Sequence, residues 1–134
     1  MNIQTGFTFG TRLPGTVADV RPAVEAALRA EGFGVLTEID VAATLRAKLG
    51  IEREPYLILG ACNPPLANRA LMADPSVGAL LPCNVVLRTD GDGTIIEAMD
   101  PLAALGIVGE AAVHAVAEDA AARLRRAVAS LVPA

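Results

Sequence analysis

Apolar side chains recur along this chain with two different periods, and each change of period marks an element. Ile3–Phe9, "IQTGFTF", alternates partly and is rich in Thr and Phe, which predicts a strand. Gly10–Gly15, with Pro14 inside it, reads as a turn region. Thr16 is then an N-cap with Asp19 three residues on. Val17, Val20, Val24, Ala27 and Leu28 follow at helical spacing, and Gly32 stands where a helix stops. Phe33–Asp40 reads as a second strand and Val41–Gly50 as a short helix capped by Asp40. Pro55–Asn63, "PYLILGACN", is a continuous apolar run ending near a glycine, as in a central strand.

Asn63 caps a helix that opens with Pro64, since proline suits a first helical position. "PSVGALLP" reads as a loop, Cys83–Thr89 as a strand, Asp90–Gly93 as a hairpin turn and Thr94–Asp100 as its partner. Asp100–Pro101 repeats the cap-then-proline signature. A last helix is expected from about Gly109 to Leu131, with Val113, Val116, Ala120, Leu124, Val128 and Leu131 as its buried stripe. The order predicts an α+β fold: a mostly antiparallel five-stranded curved sheet with the longer helices packed on one face.

Composition narrows the class. The 134 residues form one expected domain, 1–134, long enough for a sizeable core. With 53% hydrophobic residues, no Trp, one Tyr and three Phe, that core must be aliphatic, and the apolar surplus predicts a homodimer. A net charge of −4 argues against nucleic acid, because the one basic cluster, Arg123, Arg125 and Arg126, lies a helical turn from Glu118 and Asp119. No apolar run approaches the roughly 20 residues of a membrane span. The opening "MNIQTGFTFG" lacks a signal-peptide pattern, so a cytoplasmic location with reduced thiols is expected.

Two dipeptides carry the candidate chemistry: Cys62–Asn63 closes one strand and Cys83–Asn84 opens another. If those strands pair antiparallel, both thiols lie at one end of the sheet and can face each other. Cys62, Asn63, Cys83 and Asn84 then form a candidate ligand corner, with Tyr56 and Arg69 as further pocket residues. Cys62 and Cys83 are also the candidate metal ligands. Cys62 stands just before a helix N-terminus, whose positive end favours a thiolate. Glu110, His114 and Glu118 share one helix face and could hold a cation, although a solvated stripe with mutual polar contacts is the more common origin of such a pattern. Arg12, between glycines, could meet an anion or simply sit in a surface turn. There is no Walker loop and no dinucleotide fingerprint.

The stretch "YLILGACNPPLANRALMADPSVGALLPCNVVLRTDGDGTIIEAMDP", preceded by "EGFGVLTEIDVAATLRAKLG", resembles the domain-of-unknown-function family 302 over nearly the whole chain. "GACNP", "LLPCNV" and the closing "DP" are its most specific pieces. The resemblance implies a β-α-β(4)-α fold of the TATA-binding-protein class and a stand-alone bacterial or archaeal domain of no assigned activity. Three function classes stay open: a small-ligand or metal-binding module at the Cys62/Cys83 corner, a thiol-dependent enzyme or redox protein using both cysteines, and a structural homodimer whose thiols only pack.

Overall fold

Phe9, Leu13, Leu57, Leu59, Val85, Leu87 and Ile96 are all buried at alternate strand positions, and this every-second-residue pattern creates a single inner face. In the computed structural model, which describes residues 2–131, these side chains belong to one antiparallel sheet. Its strands are β1 (Asn2–Gln4), β2 (Thr8–Pro14), β3 (Gly34–Asp40), β4 (Tyr56–Cys62), β5 (Cys83–Asp90) and β6 (Gly93–Met99). Across the sheet they run β1-β2-β6-β5-β4-β3. The helices are α1 (Val17–Ala30), α2 (Val41–Leu49), α3 (Pro64–Ala73), α4 (Pro101–Leu105) and α5 (Ala111–Ala129). The architecture is α+β, a curved open sheet with helices on one face.

The sheet has six strands, not five. The expected first strand breaks after Gln4, because Thr5 Oγ1 accepts from the backbone N–H of Phe7 and of Thr8 and so makes a local turn. The expected turn at Gly10–Gly15 is instead most of β2, since Thr8–Pro14 pairs residue for residue with Gly93–Met99. Pro14 is tolerated there as the final strand residue. The expected loop at "PSVGALLP" holds a 3-10 helix at Pro75–Leu80, capped by Asp74 through Ser76 N–H. "DGDG" is the expected hairpin turn, with Asp90 paired to Gly93 and Gly91 at φ 61°. Arg12 meets no free anion: its guanidinium pairs with Asp90 at 2.9 Å and Asp92 at 2.7 Å, tying β2 to that hairpin.

Both sheet edges are blunted against further pairing. β1 is only three residues long. β3 carries an extra residue between Val35 and Thr37, and its Glu38 points to the inner face, where it pairs with Arg21 of α1.

The ends of α1 decide how the site is built. Thr16 and Asp19 form a reciprocal capping box at its start. At its finish the N–H of Gly32 bonds Arg29 O at 3.0 Å and that of Phe33 bonds Leu28 O at 2.9 Å, with Phe33 and Leu28 both buried. This is a Schellman stop, and it needs Gly32 at φ 86°. A Cβ at Gly32 would also stand 2.9 Å from Asn63 Nδ2. Gly32→Ala is therefore expected to lower the unfolding free energy by roughly 1–3 kcal/mol, read as a drop in the urea midpoint at unchanged slope.

Candidate functional site

Where β4 and β5 reach the same end of the sheet, the chain leaves a hollow between the sheet, α3, α5 and the 3-10 segment. It has a volume of about 300 Å³ and is lined mainly by Phe33, Leu66, Ala67, Ala70, Leu81, Leu105, Val116 and Ala120, with Cys62, Asn63 and Cys83 in its wall. Alanine makes the space: Ala67 and Ala70 on α3 face Ala120 across the hollow, where larger aliphatic residues would have met. Gly60 helps shape the adjacent wall. A Cβ there would run into Thr37 Oγ1 and come 2.8 Å from Pro82 Cγ, so only glycine lets the Leu81–Pro82 segment lie close to β4.

Asn63 is 8% exposed, and both the oxygen and the nitrogen of its amide are engaged. Its Oδ1 accepts from Leu66 N–H at 3.2 Å, which is the expected cap of α3. Its Nδ2 donates to Glu31 O at 3.5 Å, and Arg123 Nη1 donates to the same oxygen at 3.4 Å. The last carbonyl of the α1 stop is thus satisfied by side chains from α3 and α5.

The two cysteines share the cavity wall as free thiols, but they are not paired across the ladder. Cys83 stands opposite Ala61, and Cys62 one residue farther on stands opposite Gly34 of β3. The offset arises because the apolar pattern of β4 and β5 places Leu59 opposite Val85 and Leu57 opposite Leu87, and a one-residue slip would turn every one of these side chains to the other face.

At Cys62 desolvation works against the expected thiolate. Burial pushes the Cys62 thiol above its ordinary range. Burial, and then the nearby Cys62, push Cys83 up to about 11. The helix that follows offers little to offset this. Pro64 and Pro65 occupy the first two positions of α3 and have no N–H, and the next N–H, of Leu66, belongs to Asn63. The dipole of α3 therefore ends in no free donor beside Cys62.

The other sequence candidates lie elsewhere. Asn84 is exposed and borders a separate hollow with Phe7, Val86, Glu97 and Met99. Tyr56 lies at the opposite end of β4, its ring 5.0 Å from the guanidinium of Arg53. Arg69 is on α3 but turned outward, half exposed and 3.8 Å from Asp119. His114 donates from Nε2 to Val108 O at 2.5 Å, so its ring closes the loop before α5. Among the described residues no group of three or more His, Cys, Asp or Glu side chains could hold a metal ion. Of the basic cluster, Arg123 pairs with Asp119 at 2.7 Å, but Arg126 reaches Glu31 and Arg125 reaches Asp100. Val116 and Ala120 belong to the expected buried stripe of the last helix, but neither they nor Ala67 and Ala70 point to a cavity from the sequence alone. Their signal was the small-residue stripe Ala67, Ala70 and Ala120, which resembles ordinary helix filler.

Two outcomes follow from these protonation states. At pH 7 both thiols are expected to alkylate more slowly than an exposed cysteine, half-exposed Cys62 ahead of buried Cys83, by mass spectrometry of each site. Because the folded state holds the Cys83 proton more tightly than the unfolded chain does, its contribution to stability is complete below pH 9 and is lost as pH rises toward 11. Denaturant midpoints from pH 8 to 11 should fall by the equivalent of roughly 2–3 kcal/mol, and the fall should shrink in Cys83→Ala.

The profile described as "Domain of unknown function DUF302" matches residues 9–131. Among solved structures, the fold is similar to the "Crystal structure of uncharacterized conserved protein DUF302 from Bacillus stearothermophilus". The two share 30% identity and a TM-score of 0.84 over 92% of this chain and 96% of that one. No curated protein matches. No helix among the described residues is long and apolar enough to cross a membrane.

Proposed function

We propose that this chain, which belongs to the DUF302 family, is a binding module that takes a small, uncharged, largely apolar molecule into the cavity beside Cys62 and Cys83. The observation that carries this reading is the character of the wall. Its polar side chains are one amide and two thiols held protonated, and everything else is aliphatic, aromatic or backbone. A volume of about 300 Å³ is at the small end of ligand sites. A charged guest would give up its hydration there with no ion to replace it. Leu36 and Leu71 at the rim are 66% and 39% exposed, so the entrance is apolar as well.

The same facts weigh against the thiol-enzyme alternative. A nucleophile with a raised pKa and no adjacent base is poorly suited to attack, and His114 is engaged with Val108 on the loop before α5. For the metal alternative, two thiols without a third donor make an incomplete set for a borderline cation.

The test is a titration of isotopically labelled protein with indole and with 1-octanol, followed by amide NMR. Saturable shifts at Phe33, Leu66, Cys83 and Val116 are expected, and Ala67→Phe should abolish them while leaving the melting temperature within a few degrees. Shifts that are absent, or that persist unchanged in a folded Ala67→Phe, would sink the proposal.

A further inference from the structure

A second concavity lies away from the thiols, between the first turn of α1, the helix α2 and the start of β4. It holds about 500 Å³ and is bordered by Arg21, Glu38, Asp40, Arg46, Arg53 and Tyr56. α2, which forms one side, has no buried residue. A nine-residue helix has little stability of its own, and here it is held by its ends: the Asp40 cap, and Gly50 in the left-handed conformation. The groove thus undercuts a helix that is only thinly packed, with Val41, Ala42 and Leu45 no more than half-buried.

The charged groups around it differ in how firmly they are held. Arg21 is saturated by Glu25 at 2.9 Å and by Glu38, which in turn commits Glu38. Asp40 accepts from Ala43 N–H at 2.9 Å as the cap of α2. Asp40 keeps its negative charge in that role, and two guanidinium groups are held less firmly than Arg21. Arg46 is held only by Glu52 at 3.4 Å, with both side chains mostly exposed, a pairing worth little in water. Arg53 has no carboxylate partner among the described residues. Its guanidinium rests on the Tyr56 ring, 5.0 Å from the centroid, which holds the fork in place without consuming its N–H donors.

From the unpaired fork of Arg53 and the loosely held Arg46 we propose that the α1–α2 groove is a binding site for a small oxyanion, a carboxylate or phosphate group met by Arg53 and Arg46, with the rest of the ligand against Tyr56. Guanidinium forks suit such groups because both oxygens can be met by parallel N–H donors. An occupant would add to the thin packing of α2, so binding should also slow the opening of that helix. The site shares no lining residue with the thiol cavity, and either proposal can fail alone.

The experiment titrates the labelled full chain at low ionic strength with benzoate and, separately, with inorganic phosphate. Saturable shifts are expected at Ala43, Arg46 and Tyr56 amides, with slower hydrogen exchange in α2 and no movement at Phe33 or Val116. R53Q and R46Q should each weaken binding by about tenfold or more, and R53K, which keeps the charge but not the fork, should fall between. Preference for benzoate identifies a planar carboxylate ligand and preference for phosphate a phosphorylated one. Absence of saturation with both below about 10 mM, or affinities unchanged in folded R53Q and R46Q, would overturn the proposal.

Discussion

The side-chain amide of Asn63 is the joint on which the candidate site depends. One of its atoms starts α3 by capping Leu66 N–H, and the other ends α1 by donating to Glu31 O. Each end of this link serves a helix terminus, where backbone groups have no partner within their own helix. Arg123 reaches the same carbonyl from α5, so three helices converge on one backbone oxygen. Gly32 permits the approach, because any side chain there would meet Asn63 Nδ2. The convergence fixes Phe33 on one side of the cavity and Leu66 on another.

What the convergence does not do is fill the space between the helices. Well-packed interiors leave few voids larger than a water molecule. Here alanines on α3 and α5 face one another across a hollow that aliphatic side chains could have occupied. The hollow reaches the surface through exposed leucines, so it is continuous with solvent and is not a sealed packing defect. The groove under α2 is a second departure from close packing, and it differs in kind. One is apolar with protonated thiols; the other is charged, with Arg53 unpaired among the described residues and Arg46 only loosely held. Their separation on the fold lets each be understood by its own chemistry.

The dipeptide Pro64–Pro65 shows how one local choice has two consequences. Proline at the first helical positions costs no hydrogen bond and sets the backbone for a helix. It also strips the helix start of the donors that would otherwise face Cys62, and burial is then free to raise that thiol. Reading "CNPP" for its helix signal alone predicts an activated cysteine, whereas counting the N–H groups predicts the reverse.

Local chemistry determined a great deal from the sequence alone. The caps Thr16, Asp40, Asn63 and Asp100, the stop at Gly32, the "DGDG" hairpin and the long apolar run of β4 were legible because each depends on residues within a few positions of one another. The strand Thr8–Pro14 was not legible, because Gly10, Pro14 and Gly15 mimic a turn and only pairing with Gly93–Met99 holds it extended. Likewise the ends of β4 and β5 were readable, but their register was not. Cys83 faces Ala61 because the whole apolar face of both strands must align, a sum over many contacts that no dipeptide announces. Whether three alanines mean filler or an opening was settled only when α3 and α5 were brought together over the sheet. Spacing along a chain sets which side chains share a face; the space left between faces, and the charge left unpaired beside it, exist only once the faces have met.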